Sequence, residues 1–147
     1  MINPTTIRSL TFADYDALIA LWQRAGLSYR PHGRDSREAV ARELARAPDS
    51  HFGLFVEGRL VASIIATFGG RKGWINRLAV DPDFRGRGYA QRMIAEAEKL
   101  LRIGHGARVI AALIEKDNDP SRQLFAKCGY VFGEGICYYS KRDNPEA

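Results

Sequence analysis

The chain of 147 residues predicts an α/β fold of three α-β-α layers, and three observations support this fold class. Residues 51–68 contain two β-prone runs joined at Glu57–Gly58, which predicts a hairpin. Residues 86–103 repeat apolar side chains at helical spacing, and residues 107–114 form a run that is apolar apart from Arg108 and typical of a strand covered on both faces. Because both hairpins and helices connect the strands, we expect a mixed, mostly antiparallel sheet of about 6–7 strands with about four helices.

Residues 6–47 predict one strand followed by two helices. The lead-in at 6–10 is short and apolar, and each of the two later segments starts with a capping-box pattern. A polar loop containing proline and glycine separates the two helices. The residues that bound the helices are Thr11 with Asp14 and Gly26 for the first, and Asp35 with Glu38 and Ala47 for the second.

The remainder of the chain predicts strands that alternate with two further helices. In chain order after the hairpin, we expect a strand at 73–80, a helix at 86–103, a strand at 107–114, a helix at 119–127, and two short strands within 130–142 around Gly133 and Gly135. No repeat or linker interrupts this order, so residues 1–147 are expected to form a single domain.

Composition and charge favour a soluble protein with an anionic ligand. Apolar residues make up 46% and charged residues 27%, and 22 basic against 17 acidic side chains leave a net charge of +5. A basic excess also suits nucleic acid, but no aromatic residues are interleaved with a basic run, so we expect no nucleic-acid partner. No signal-peptide pattern or membrane-spanning run is present, which favours a cytoplasmic protein without a membrane partner.

Cysteine and histidine usage predicts no metal site. Cys128 and Cys137 do not form a Cys-x-x-Cys pair, and we expect two free thiols. His51 and His105 have no partner at metal-ligand spacing.

The stretch 83–90, DFRGRGYA, lies between a predicted strand and a predicted helix. Glycines at a helix N-terminus let the backbone approach a ligand, and first-turn N–H groups have no partner within the helix. The helix dipole and the side chains of Arg85 and Arg87 add positive charge, so a diphosphate or similar anion fits this loop. A helix cap with solvated arginines and an Arg-Gly RNA-binding arm are the alternatives.

Two segments resemble the motifs of the GNAT superfamily of N-acetyltransferases. The run LAVDPDFRGRGYAQRMI resembles its acyl-CoA signature, Arg/Gln-x-x-Gly-x-Gly/Ala, through Arg85, Gly88 and Ala90. The run EKDNDPSRQLFAKCGY resembles its later motif through Asn118, Ser121, Leu124, Gly129 and Tyr130. The predicted order of elements is also similar along nearly the whole chain, most of all to small bacterial acetyltransferases of largely unassigned substrate.

This resemblance implies an acetyl-CoA-dependent N-acetyltransferase that acts on a primary amine. Acetyl-CoA would be the co-substrate, with its pyrophosphate on the loop amides and its pantetheine arm on the preceding strand. The cofactor-binding residues implied are Leu78, Ala79 and Val80, then Arg85, Gly86, Arg87, Gly88, Tyr89 and Ala90, and finally Asn118 and Ser121. Dimers are common in the family, so a homodimer is an open expectation.

The resemblance fails at the residues that move protons. Many members carry a tyrosine that protonates the leaving CoA thiolate where this chain has Phe125, and some carry a catalytic glutamate where it has Trp74. We therefore expect catalysis mainly by positioning and by polarising the thioester carbonyl through a backbone N–H. Candidate catalytic side chains are Asn76 to orient a water, Glu115 as base and Tyr138 as acid. A solvated loop carboxylate and a sheet-face aromatic are the alternatives for the last two.

The polar loop between the first two helices lies where acceptors approach in this family. Its candidate substrate-binding residues are Tyr29, Arg30 and His32. A basic loop favours an acceptor that carries a carboxylate, such as an amino acid or a peptide end. Small molecules, amino acids and peptides all stay open as acceptors, and a non-catalytic acyl-CoA-binding regulatory module is the alternative function.

Overall fold

The computed structural model describes residues 4–147, which form five strands and four α-helices. In chain order these are β1 (Thr5–Ser9), α1 (Tyr15–Ala25), α2 (Arg37–Arg46), β2 (His51–Val56), β3 (Arg59–Phe68), β4 (Gly73–Val80), α3 (Tyr89–Lys99), β5 (Ile110–Ala112) and α4 (Asp119–Lys127). Up to α4, this order and the number of helices agree with the prediction.

The strands form one mixed sheet in the order β1-β2-β3-β4-β5. The first four pair antiparallel, whereas β5 is parallel to β4 because the helical crossover through α3 connects them. The predicted hairpin turn is confirmed, since Glu57 and Gly58 have φ values of 50° and 80°, as a tight two-residue turn requires.

Helices cover both faces of the sheet and create two apolar cores. On one face α1 buries Leu21 and Trp22, and on the other α3 and α4 bury Met93 and Phe125. Each such side chain contributes about 1.5–3 kcal/mol when it is fully removed from water. The two cores therefore fix the helices, and with them the loops that begin and end each helix.

A bulge interrupts the middle of β4. Ser63 of β3 pairs with Ala79 and Ile65 pairs with Asn76, so two steps along β3 match three steps along β4. The bulge includes Arg77, whose φ of 55° lies in the left-handed region. Because of the extra residue, Asn76 and Ala79 lie on the same face of the sheet although they are three positions apart, since their partners Ile65 and Ser63 are two apart.

The strands β4 and β5 diverge halfway along β4. Their pairing begins at Gly73 with Ile110 and ends at Ile75 with Ala112, whereas β4 continues to Val80. Beyond Ile75, the edge of β4 that faces β5 has backbone N–H and C=O groups without a strand partner. This edge is therefore available to a ligand.

The prediction of 6–7 strands is wrong, because the sheet has five strands within residues 4–147. The two strands expected in 130–142 do not form. The three-residue strand β5 ends at Ala112 and offers no long edge for them, and Ile136 N donates instead to Gly133 O in a turn. Large apolar side chains in this segment are 66–93% exposed, namely Val131, Phe132, Ile136, Tyr138 and Tyr139.

The predicted cap of the second helix is also wrong. The Ser36 hydroxyl accepts a hydrogen bond from Ala39 N at 3.2 Å and caps α2, one residue after the expected position. The carboxylate of Asp35 binds Arg77 instead. Asp35 therefore forms an ion pair across the fold, and the neighbouring Ser36 provides the cap.

Candidate active site

A cleft of about 360 Å³ opens between the end of β4, the start of α3 and one face of α4. The strand end and the following loop contribute Val80, Phe84, Arg85, Gly86 and Gly88. The first turn of α3 contributes Tyr89, Ala90 and Gln91, and α4 contributes Pro120, Gln123, Leu124 and Lys127. Much of the predicted CoA loop thus faces one concave surface.

The two glycines of this loop are required by backbone conformation. Gly86 and Gly88 both have φ of 78°, which L-residues with a side chain adopt at a cost. A Cβ added at Gly86 would meet nothing within 4 Å, and one at Gly88 would meet only Gln91 Oε1, at 3.7 Å. The glycines therefore shape the loop and leave space beside it for a ligand.

The N-terminus of α3 presents its amides without a side-chain cap. Ser36 caps α2 and Asn118 caps α4, whereas the N-cap residue of α3 is Gly88 and has no side chain. The first-turn N–H groups of α3 and the positive end of its dipole consequently face the cleft. This arrangement suits an anion such as a pyrophosphate.

The two loop arginines brace the loop against the protein. Arg85 donates to the carbonyls of Val80 and Ala25, both at 3.3 Å, and so ties the loop to β4 and α1. The Arg87 guanidinium lies 4.9 Å from the centre of the Phe84 ring. Both side chains therefore hold the loop in place and keep positive charge near the cleft.

A buried carboxylate anchors the start of the same loop. Asp81 Oδ2 accepts from Arg24 Nε at 2.9 Å and Arg59 Nη2 at 3.1 Å, and Oδ1 accepts from Asp83 N at 3.0 Å. Burial raises the pKa of this carboxyl, but the Asp83 amide and the two guanidinium groups lower it more, so the pKa lies below its ordinary value. Asp81 therefore stays ionised at neutral pH and joins β4 to α1 and β3.

The strand residues expected to bind pantetheine lie on the open part of β4. Leu78 belongs to the bulge and Ala79 and Val80 follow it, and all three lie beyond the last β4–β5 pair. An extended amide chain can add to such an edge as a further strand would. The edge leads directly to the loop at 85–90, so both expected parts of a CoA site adjoin.

The three candidate catalytic side chains occupy separate places. Asn76 is half-buried and follows the last β4 residue that pairs with β5. Glu115 is exposed beyond β5. Tyr138 is exposed and lines a second cavity, of about 280 Å³, together with Arg34 and Lys141. Of the three, Asn76 lies at the divergence of the two strands.

Phe125 packs inside the protein. It is 5% exposed, and its ring meets the Tyr130 ring edge-on with centroids 5.0 Å apart. The Tyr130 hydroxyl donates to Glu98 Oε2 at 2.8 Å, and its pKa is raised by burial and by that carboxylate. Neither ring lines the cleft among the described residues.

The later motif residues have a local structural role. Asn118 Oδ1 accepts from Ser121 N at 3.2 Å and so caps α4. The cap fixes the start of the helix whose next turns line the cleft. Any contact of Asn118 or Ser121 with CoA stays a prediction.

The loop at residues 27–36, here called the acceptor loop, packs between α1 and β4. The Tyr29 hydroxyl accepts from Gln23 Nε2 at 2.9 Å, Arg30 is half-buried and His32 is exposed. Arg77 of the β4 bulge binds Asp35, at the end of the loop, at 2.5 Å. Nothing in the sequence predicted this contact.

The wall that α4 contributes to the cleft was not predicted from the sequence either. Its residues are Pro120, Gln123, Leu124 and Lys127. They follow the i, i+3, i+4, i+7 spacing of one helix face, so the pattern was available once the helix had been predicted. What the pattern alone does not show is that this face meets the loop of another element.

Within residues 4–147, no three His, Cys, Asp or Glu side chains lie together as a metal-binding group. Across the same residues, no helix is long and apolar enough to cross a membrane. The two cysteines, Cys128 and Cys137, are free.

Comparison with solved structures shows the same fold in several N-acetyltransferases. The PaiA N-acetyltransferase of Thermoplasma acidophilum, in complex with coenzyme A, superposes with a TM-score of 0.74 at 18% identity over 85% of this chain and 88% of its own. The aminoglycoside enzyme AAC(6')-Iy, in complex with the bisubstrate analogue CoA-S-monomethyl-acetylneamine, has a TM-score of 0.74 at 21% identity over 95% and 99%.

Two sequence relatives are more similar. Acetyltransferase ECA0875 of Pectobacterium atrosepticum is 36% identical over 84% of this chain and 86% of its own length. Acetyltransferase SG1711 of Sodalis glossinidius is 33% identical over 92% and 94%. Both names state the activity and no acceptor.

The fold is thus that of a class of acetyltransferases whose solved members include complexes with coenzyme A or a CoA-containing analogue. The family model for the acetyltransferase (GNAT) family matches residues 11–130, and the chain belongs to that family. It is an acetyl-CoA-dependent acyltransferase.

Proposed function

We propose that the chain transfers the acetyl group of acetyl-CoA to a primary amine by direct attack in a ternary complex. The observation that carries the proposal is the continuity of the open β4 edge with the uncapped N-terminus of α3. Pantetheine on that edge and pyrophosphate on those amides would place the thioester near Asn76, where β4 and β5 diverge. The residues 78–80 and 85–90 would hold the co-substrate.

The chemistry needs no nucleophilic side chain. The neutral amine attacks the thioester carbonyl, a tetrahedral intermediate forms, and the carbon–sulfur bond breaks to release the CoA thiolate. As the amide forms, the acceptor nitrogen loses its extra proton either to water or directly to the CoA thiolate, and in the first case the thiolate takes its proton from water. A backbone N–H at the Arg77–Leu78 bulge is suited to stabilise the oxyanion, since a bulge leaves such a group outside the strand ladder.

Three side chains are proposed to assist. Asn76 would orient the water that receives the amine proton, because its amide can hydrogen bond but cannot act as a base. Glu115 would serve as base and Tyr138 as acid. Both roles require that binding of the acceptor moves these side chains toward the thioester. Their exposure in the free protein makes their contributions smaller than that of positioning.

The acceptor loop favours an amine that carries a carboxylate. Arg30 and Arg34 form no ion pair among residues 4–147, whereas the one carboxylate of the loop, Asp35, is neutralised by Arg77. Two such guanidinium groups attract an anion and repel a cation. We therefore propose an amino acid or peptide end as acceptor, in preference to a polycation such as the neamine unit bound in AAC(6')-Iy.

Thiol release from acetyl-CoA tests the proposal. Wild-type protein is incubated with acetyl-CoA and pools of amines grouped as amino acids, peptides, polyamines and aminoglycosides, and free CoA thiol is measured. We expect release above the amine-free rate in the amino-acid or peptide pools. Coenzyme A binding without thiol release in any pool would contradict transfer and favour an acyl-CoA-binding regulatory module.

A further inference from the structure

A buried ion pair joins the acceptor loop to the β4 bulge. Arg77 Nη2 lies 2.5 Å from Asp35 Oδ2, and the two side chains are 14% and 7% exposed. Arg77 Nη1 also donates to the carbonyl of Ser28, and its guanidinium lies 5.1 Å from the centre of the Trp22 ring. Because several partners hold this cation at once, its position is closely defined.

Asp35 organises the acceptor loop from within. Its Oδ2 also accepts from Arg30 N at 2.7 Å, and its own N–H donates to Arg30 O at 3.1 Å. Its carbonyl accepts from the Tyr15 hydroxyl at 2.6 Å, which attaches the loop to α1. Asp35 therefore hydrogen bonds within the acceptor loop and also forms the ion pair with Arg77.

Arg77 is a costly residue for its backbone conformation. Its φ of 55° is one that glycine adopts freely and that other L-residues adopt under strain. Glycine would form the same bulge without strain, but only a long cationic side chain also reaches Asp35. Such a strained backbone conformation persists where surrounding contacts stabilise it, and here the contacts of the guanidinium do so.

We propose that Arg77 and Asp35 are positioning residues that hold the acceptor loop against the site of acetyl transfer. This inference rests on the proposed function. The bulge adjoins Asn76 and the strand edge expected to bind pantetheine, whereas the loop carries Tyr29 and Arg30. The pair does not touch the acceptor; it sets the distance between amine and thioester, and small displacements there cost rate.

Hydrogen exchange tests the structural step. The Arg77→Met variant keeps an unbranched apolar side chain and removes the guanidinium group with its charge. Its matched control is Arg8→Met, since Arg8 pairs with Asp14 through contacts of 2.9 and 3.0 Å before α1. We expect amides of 28–36 to exchange about tenfold faster or more in Arg77→Met alone, with the Kd for coenzyme A changed by less than about twofold. Unchanged exchange in 28–36 would overturn the proposal.

Kinetics tests the functional step with the amine that gives the fastest thiol release. We expect Arg77→Met and Asp35→Asn to raise the KM for that amine about tenfold or more, and to leave the KM for acetyl-CoA within about twofold. Arg77→Lys keeps a charge without the planar fork, so it should recover part of the loss. An equal rise in both KM values would contradict a role specific to the acceptor loop.

A double variant separates positioning from stability. Replacing both partners, in Arg77→Met/Asp35→Leu, removes the unpaired charge that each single variant leaves buried and should restore much of the thermal stability. We expect the KM for the amine to stay raised in the double variant. Recovery of both the amine KM and the Tm to wild-type values would show that the pair only stabilises the fold. If wild-type protein uses no amine, acetyl transfer itself fails, whereas the exchange result and coenzyme A affinity still decide the positioning claim.

Discussion

Phe125 shows at the scale of one residue how this protein departs from its family. Many members have a tyrosine at this point of the motif, which can return a proton to the leaving thiolate. Here the ring is 5% exposed and packed edge-on against Tyr130. A phenol in this position would face the core, so in the proposed reaction the thiolate takes its proton from water or from the acceptor nitrogen of the intermediate.

Phe125→Tyr tests that interpretation. We expect the variant to lose about 1–3 kcal/mol of unfolding free energy, because its hydroxyl would be buried without a partner. Thiol release should not increase. Urea denaturation and kcat with the same amine are the measurements, and a rise in kcat with stability retained would show that the ring does reach the thioester.

Asp81 matters for stability because it is a buried charge with three partners. We expect Asp81→Asn to lower the free energy of unfolding by about 2 kcal/mol, below the loss for a fully buried pair because both arginines are partly solvated. Urea denaturation at neutral pH measures the loss. Arg8→Met, which breaks an exposed pair, should cost less than about 1 kcal/mol.

The same carboxylate predicts a dependence on pH. Its pKa is lowered in the folded protein, so its contribution is complete above the unfolded value near about 3.9 and is lost as the pH falls through the folded value. Wild type should therefore lose stability on acidification more steeply than Asp81→Asn. Parallel profiles of unfolding free energy against pH for wild type and Asp81→Asn would contradict a lowered pKa of Asp81.

At the scale of elements, α4 forms a wall of the cleft with one face that ends in Lys127. We expect Lys127→Gln to weaken coenzyme A binding about three- to tenfold, more at low than at high salt, because it removes a charge near the phosphates. Lys99→Gln, at the exposed end of α3, is the matched control. Isothermal titration with coenzyme A at two salt concentrations compares the two variants. Equal coenzyme A affinities of Lys127→Gln and Lys99→Gln would place the phosphates elsewhere.

Elements with strong local patterns were predictable. Thr11 with Asp14, and Gly26 with its left-handed φ, bound the first helix region where expected. The strand at 107–114 was predicted too long, because an apolar run does not show where a neighbouring strand turns away. The C-terminal strands were predicted around Gly133 and Gly135, but a strand also needs a partner edge.

At the scale of the molecule, residues 130–139 have no place in the sheet. We expect their amides to exchange with solvent far faster than those of β3, since their backbone groups lack a strand partner. Hydrogen exchange with mass spectrometry measures both segments in one experiment. Protection of 130–139 comparable to β3 would restore the two predicted strands.

The site divides into local and non-local parts with different predictability. The anion loop is local, because two glycines, a preceding strand and a following helix stand together in 73–99. The Arg77–Asp35 pair joins residues 42 positions apart. Nothing near either residue indicates the other, and Asp35 has the local pattern of a helix cap. Only the packing of α1 on the sheet brings them together.

The central claim is that the loop before α3 binds coenzyme A, and titration with coenzyme A tests it most directly. Gly88 and Gly58 have similar φ values, 78° and 80°, and open surroundings, so glutamate costs either position about 1–2 kcal/mol of backbone strain. We expect Gly88→Glu to weaken binding about 100-fold or more and Gly58→Glu, in the β2–β3 turn, to stay within about twofold. Wild-type affinity in folded Gly88→Glu would contradict the account.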